Sequence, residues 1–168
     1  MSIKIRKATS KDIPAITEIY NEAILTTDAT FDIEPKSIEE QTDWFNAHGA
    51  KNPIFVAETD GKVCGWASLS QWSTRCAYSD TAEISLYIKE TCRKQGIGKR
   101  LMAVILAEGE KIGLHSILSR ITGENTVSIY LHEQFGFEHI GTMREVGKKF
   151  GRLLDVCMMQ KIYSNPKA

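Results

Sequence analysis

Thr81-Ala82-Glu83-Ile84-Ser85-Leu86-Tyr87-Ile88-Lys89, then Arg93-Lys94-Gln95-Gly96-Ile97-Gly98-Lys99, then an apolar-periodic run to Lys111 read as strand, glycine turn and helix. Alternation along the strand places Glu83, Ser85 and Tyr87 on one face and Ile84, Leu86 and Ile88 on the other. Glycines let the turn fold tightly, and the free N–H groups of the helix start form a cradle suited to a pyrophosphate. An ordinary strand-to-helix turn has the same look. Two other phosphate loops are excluded by position. A Walker loop ending at Gly98-Lys99 needs Gly at 93 and Ser or Thr at 100, where the chain has Arg93 and Arg100. A dinucleotide fingerprint follows the first strand of a βαβ unit, and this turn follows a hairpin and a fourth strand.

Upstream, Ile3 and Ile5 alternate as a strand, and Thr9 to Asp12 supply helix-starting side chains before Pro14. Ile13, Ile16, Tyr20, Ala23 and Ile24 recur at helical spacing, and Ser37 with Glu40 forms a capping box for a second helix. Between these helices lies a loop, residues 26–35, containing Phe31. Residues 53–58 and 63–69 flank Asp60-Gly61 as a hairpin. Downstream, Gly113 ends the helix; strand 115–121, helix 125–135, strand 137–145 and strand 152–163 follow. The order β-α-α-β-β-β-α-β-α-β-β implies an α+β fold, one mixed sheet flanked by helices, in a single domain over residues 1–168.

Composition excludes several classes of function. Twenty-one Lys plus Arg balance 21 Asp plus Glu among 168 residues, so nothing signals a nucleic-acid partner. The longest clearly apolar stretch, Leu101 to Ala107, falls far short of the ~20 residues of a spanning helix, and the N-terminus has no apolar signal core. A cytoplasmic protein is expected. Cys64, Cys76, Cys92 and Cys157 contain no C-x-x-C pair, which points to reduced, mostly buried thiols rather than disulfides or zinc.

Two further segments carry chemistry. On the helix after Asn125, residues Asn125, Ser128 and His132 form one polar stripe. His132-Glu133 is not a zinc motif, because Gly136 stands where a second His is required, so no metal site is expected. The other segment, Trp72 to Ile88, puts an acid, Glu83, at a strand start beside an Arg-bearing loop.

Together these segments resemble the GNAT superfamily of acetyl-CoA-dependent N-acetyltransferases. Arg93-x-x-Gly96-x-Gly98 matches the family's coenzyme A pyrophosphate loop, and Asn125 to Phe137 matches its N-x-x-[AS]-x-x-[LF]-[YH]-x-x-x-G-F helix. Within the superfamily the chain is similar, over nearly its whole length, to the phosphinothricin and methionine sulfoximine N-acetyltransferases. That likeness rests on Thr30-Phe31 with Glu34-Pro35, Trp72-x-x-Arg75-x-Ala77-Tyr78-x-x-Thr81-x-Glu83, Leu131-His132-Glu133, and Gly147-x-Lys149-Phe150-Gly151-Arg152-x-x-Asp155. Some members carry Arg where this chain has Ser73 and Ser79, so the acceptor is less narrowly defined than the reaction.

The resemblance implies acetyl-CoA as co-substrate, no metal, a small amino-acid-like amine as acceptor, and a homodimer to which Trp44, Trp66 or the C-terminal strand contributes. An amine of pKa ~8 to 10 is only ~0.1 to 10% neutral at pH 7, so transfer requires a base. Glu83 is the candidate base and His132 a second proton-transfer group. Leu86, Tyr87 and Ile88 would pair with the pantetheine arm, Lys94, Gln95, Gly96, Ile97, Gly98 and Lys99 would hold the pyrophosphate, and Asn125 would bond the pantetheine amide region. Phe31, Arg75, Tyr78, Glu83 and Ser85 would wall the acceptor site, Arg75 offering a fork to its anionic group. Acetylation of another small amine or a peptide N-terminus, and a non-catalytic acyl-CoA sensor, are the competing readings.

Overall fold

A computed structural model of the chain describes residues 2–164. In chain order the elements are β1 (Ile3–Lys7), α1 (Ile13–Thr26), α2 (Ile38–Ala47), β2 (Ile54–Thr59), β3 (Lys62–Gln71), β4 (Thr81–Ile88), α3 (Ile97–Lys111), β5 (Ser116–Thr122), α4 (Thr126–Gln134), β6 (Glu138–Lys149) and β7 (Arg152–Ile162), with short 3-10 turns before α1, β4 and α3. The order read from sequence is the order observed. Helix α3 begins two residues earlier than the pattern suggested, and β6 runs four residues further. A bulge between Met143 and Gly147, where Glu145 takes a positive φ, lets β6 continue past the point at which its alternation breaks.

Local chemistry accounts for the boundaries. The backbone N–H of Glu40 donates to Ser37 Oγ, and that of Ser37 donates to Glu40 Oε2, which closes the capping box of α2. Asp60 and Gly61 both lie at positive φ, as a two-residue hairpin turn between β2 and β3 requires. Arg6 reaches from β1 to Asp12 at the start of α1 and to Glu58 on β2, holding the Asp12 carboxyl below its ordinary range.

The strands form one seven-stranded sheet in the order β1-β2-β3-β4-β5-β7-β6. Every neighbouring pair is antiparallel except β4 and β5. That pair is short: Thr81, Ala82 and Glu83 match Ser116, Ile117 and Leu118, and no pairing follows. The parallel contact arises because α3 carries the chain back across the sheet. Beyond Glu83 the two strands part.

Each face of the sheet has its own core. On one side α3 and α4 bury Leu101, Met102, Ile105, Leu69 and Ile117. Fully burying such a side chain contributes about 1.5–3 kcal/mol. On the other, α1 covers Ile16, Ile19, Val56 and Trp66, with Trp44, Phe45 and Tyr87 packed alongside. Trp66 is only 2% exposed, so it belongs to this inner cluster and not to a surface that a second copy could touch. Of the cysteines, Cys64 and Cys157 are buried as expected, Cys92 is half-buried, and Cys76 is exposed on the 3-10 turn before β4. No helix among the described residues is long and apolar enough to cross a membrane.

Candidate active site

The parting of β4 from β5 organises the site. From Ile84 to Ile88 the edge of β4 that faces β5 has no strand partner, leaving backbone donors and acceptors along the gap. At its far end, Gly96 caps α3 in the left-handed region with φ 77, and no side chain caps the helix. Arg100 N–H makes the first intrahelical bond, to the Gly96 carbonyl, so the N–H groups of the first turn before it have no carbonyl within the helix. Lys94, Gln95 and Lys99 are exposed around them, while Ile97 is buried and anchors the turn to the core. A Cβ at Gly98 would lie 3.5 Å from Leu131 and 3.8 Å from Leu86, which shows how closely α3, α4 and β4 converge there. An unpaired strand edge leading to an uncapped helix N-terminus fits an extended amide-bearing arm that ends in a pyrophosphate.

Glu83 stands where the gap opens. Its side chain is 19% exposed and accepts two hydrogen bonds from Arg120, Nε to Oε1 at 2.8 Å and Nη2 to Oε2 at 2.7 Å. The guanidinium lies over Trp72, 5.6 Å from the ring centre. These bonds push the Arg120 pKa above its ordinary value, so the side chain stays charged. The arginine on Glu83 is therefore Arg120, from β5. Arg75 is exposed ahead of the 3-10 turn, and its side chain has no hydrogen-bond partner among the described residues; its backbone N–H donates to Ser73 Oγ at 3.3 Å.

The same face holds a cavity of about 300 Å³ beside Ser85 and Tyr87, walled by Tyr20, Trp44 and Trp66, with Asp32, Lys36 and Glu40 on its polar side. Tyr20 donates to Asp32 Oδ2 at 2.6 Å, and burial pushes its pKa up; burial likewise pushes Tyr87 up to about 12. Of the expected acceptor residues, Ser85 lines this cavity. Phe31, Arg75, Tyr78 and Glu83 do not.

Phe31 sits on the segment between α1 and α2, which long-range bonds hold in place. Lys149 Nζ, buried on β6, donates to the Thr30 carbonyl at 2.7 Å, and Thr122 Oγ1 donates to the Asp28 carbonyl. The Phe31 ring lies directly over Gly147, so close that a Cβ there would collide with it. This is the physical reason for a glycine in that position.

His132 lies on the opposite face of the sheet. Its Nδ1–H donates to the Ser128 carbonyl at 2.7 Å, which leaves Nε2 to accept from Ser119 Oγ at 3.0 Å. The ring packs edge-on to Phe137 and is 5% exposed. Burial lowers its pKa, so it is neutral at pH 7. Asn125 caps α4, its Oδ1 accepting from Ser128 N–H at 3.1 Å while its side-chain amide hydrogens remain available. The polar stripe of α4 thus turns inward toward β5. Glu83 and His132, the expected base and the expected second proton-transfer group, lie on opposite faces of the sheet.

Sequence reasoning missed Arg120, Ser119 and the aromatic cavity. A signal for the first existed: Arg120 is the one charged residue of a mostly buried strand, Ser116–Thr122, and a charge there demands a partner.

Comparison with known proteins agrees with this geometry. Residues 5–158 match the acetyltransferase (GNAT) domain family. The chain is 37% identical over 162 residues, 95% of this chain and 94% of the relative, to the L-methionine sulfoximine/L-methionine sulfone acetyltransferase of Pseudomonas paraeruginosa. It is 32% identical to the phosphinothricin N-acetyltransferase of Streptomyces coelicolor, with 95% of each chain covered. The crystal structure of a phosphinothricin acetyltransferase from Sinorhizobium meliloti in complex with acetyl-CoA superposes with a TM-score of 0.93 at 35% identity, over 96% of this chain and 89% of that one. The seven-stranded sheet that parts beside Glu83, closed at its far end by the glycine turn of α3, is thus the acetyltransferase fold, and the chain belongs to the GNAT acetyltransferase family.

Proposed function

We propose that the chain transfers the acetyl group of acetyl-CoA to the amino group of a small amino-acid-like acceptor of the phosphinothricin and methionine sulfoximine kind. The observation that carries this reading is the position of Glu83: a half-buried carboxylate at the mouth of the β4–β5 gap, on the face that holds the cavity. The relatives' names supply the acceptor class.

In this reading, Leu86 to Ile88 hold the pantetheine arm by backbone pairing, Asn125 donates to its amide region, and the first turn of α3 with Lys94 and Lys99 holds the pyrophosphate. Glu83 accepts the proton of the acceptor's ammonium. Each carboxylate oxygen has two lone-pair positions and Arg120 takes one, so Glu83 keeps acceptor capacity while gripped. The freed amine attacks the thioester carbonyl; as the tetrahedral intermediate collapses to the amide, the nitrogen's second proton goes to the departing thiolate, which leaves as coenzyme A thiol. A backbone N–H of β4 facing the gap would polarise the carbonyl oxygen. Ser85 and the cavity receive the acceptor's side chain, with Phe31, Arg75 and Tyr78 around its mouth. His132, the other expected proton-transfer group, is sealed against Ser119 on the opposite face of the sheet and in this reading takes no part in the transfer.

Release of coenzyme A thiol from acetyl-CoA tests this with phosphinothricin, methionine sulfoximine, methionine sulfone and a panel of amines and peptides. Release with the first three that is lost in Glu83→Gln supports both acceptor class and base. Acetyl-CoA binding without release for any acceptor refutes catalysis.

The chain is further proposed to form a homodimer through the β6–β7 hairpin, where Ile140, Met143, Val146 and Leu153 are all exposed. Light scattering after size exclusion should give twice the 18.8 kDa chain mass, and Val146→Glu should halve it. A wild-type monomer refutes the assembly.

A further inference from the structure

We propose that Arg120 is the specificity-determining residue of this site, bridging Glu83 and the anionic group of the acceptor and thereby setting the acceptor's amine against the base. The inference rests on the reading of Glu83 as the base and extends it. A guanidinium has two edges that can each make a two-point contact with an oxyanion. Glu83 occupies the edge formed by Nε and Nη2, at 2.8 and 2.7 Å. The other edge, formed by Nη1 and the second hydrogen of Nη2, has no partner among the described residues. Trp72 lies against one face of the group, its ring centre 5.6 Å from Cζ, and helps to hold its orientation.

The location supports the same role. Arg120 lies two residues beyond Leu118, the last residue of β5 paired with β4, so it projects where the strands separate. Its side chain is 54% exposed despite the ion pair, and water or a small solute can reach it. An acceptor α-carboxylate on the open edge would share Nη2 with Glu83 Oε2. In an α-amino acid the amine is two bonds from the carboxylate carbon, so its ammonium then falls beside that oxygen. One planar group would bind the acceptor's anion, align the base and space the two. Arg75, exposed and without a side-chain partner among the described residues, has no comparable fixed geometry.

The test compares two acceptors in five proteins: methionine sulfone and its decarboxylated amine, with wild type, Arg120→Gln, Arg120→Lys, Arg75→Gln and Glu83→Gln. Acetyl-CoA binding by calorimetry establishes that each variant is folded. In wild type, kcat/KM should favour the amino acid at least 100-fold. In Arg120→Gln that preference should fall toward unity, mostly through KM for the amino acid. Arg120→Lys keeps the charge without the fork and should recover only part of the preference. A preference that survives in Arg120→Gln, or that collapses instead in Arg75→Gln, overturns the proposal. Failure of the underlying reading looks different: Glu83→Gln would then turn over both acceptors at the wild-type rate.

Discussion

Glu83 and His132 lie close to the same gap and on opposite faces of one sheet, and their surroundings differ in almost every respect. Glu83 is reached by water, carries charge and shares it with Arg120 over Trp72. His132 is sealed under α4, neutral, with both ring nitrogens bonded to Ser128 and Ser119. The first surroundings suit a group that exchanges protons with an incoming amine. The second suit a group whose geometry is fixed by packing. Burial alone does not locate a catalytic group; what matters is whether its lone pairs face the gap or the core.

The largest effect that separates the two faces is on turnover. Removing a general base typically costs 10²–10⁴-fold, so Glu83→Gln should lower kcat by that order while leaving KM for acetyl-CoA within a few-fold of wild type. His132→Gln keeps one donor and one acceptor and should lower kcat by about tenfold or less. Single-turnover kinetics with saturating acetyl-CoA would measure both. Equal losses in the two variants would erase the contrast and place the chemistry on both faces.

The acceptor face is also built differently. The coenzyme side is lined by core strands and helices, whereas Phe31 stands on a connecting segment tied down by Lys149, more than a hundred residues away in sequence. Lys149→Met should leave the Thr30 carbonyl without its donor and cost about 1–3 kcal/mol in urea unfolding. The acceptor KM should rise severalfold as Phe31 loses its seat on Gly147. Acetyl-CoA affinity should not change, since neither the α3 turn nor the β4 edge touches that tether. A loss of acetyl-CoA affinity instead would mean that the two faces are mechanically coupled.

Much of this could be read in the chain, for reasons that are local. The Ser37–Glu40 box, the Asp60-Gly61 turn and the Gly96 turn all act within a few residues, so their chemistry is written where it operates. The alternation of β4 correctly divided Glu83, Ser85 and Tyr87 from Ile84, Leu86 and Ile88, because a strand's period fixes its faces. What escaped depends on register between distant strands. Nothing in the sequence near Arg120 says that Leu118 stands opposite Glu83, so the ion pair between Arg120 and Glu83 could not be read from it. The stripe on α4 was visible as a stripe, but periodicity does not say whether polar residues face solvent or a polar partner such as Ser119. The cavity draws on α1, α2, β3 and β4 together, and no window of sequence contains it.

The smallest expected effect is a dependence of stability on pH, and it probes the neutral side directly. Burial lowers the pKa of both His132 and His48 in the folded chain. Between the ordinary histidine value near 6.5 and the lowered one, the unfolded chain binds more protons, so stability rises with pH through that window and falls as pH drops below about 6.5. The contribution of each histidine at pH 6 stays below about 1 kcal/mol: with an unfolded pKa near 6.5, about three-quarters of the unfolded side chains are charged at pH 6, and the largest linkage term this allows is about 0.8 kcal/mol. Thermal unfolding between pH 8 and pH 6 should show Tm declining in wild type. His132→Gln and His48→Gln should each flatten the decline, whatever they do to Tm at pH 8. The two sites differ in what relieves the cost. His48 is half-buried, with Nε2 on Ser70 and Nδ1 on the Trp44 carbonyl, so a small outward movement of the end of α2 would hydrate its charge. His132 has no such outlet between β5, Phe137 and its own helix, so the steeper share of the slope should belong to it. If His48→Gln removes the larger share instead, the seal over His132 is looser than its 5% exposure indicates, and the contrast with Glu83 narrows.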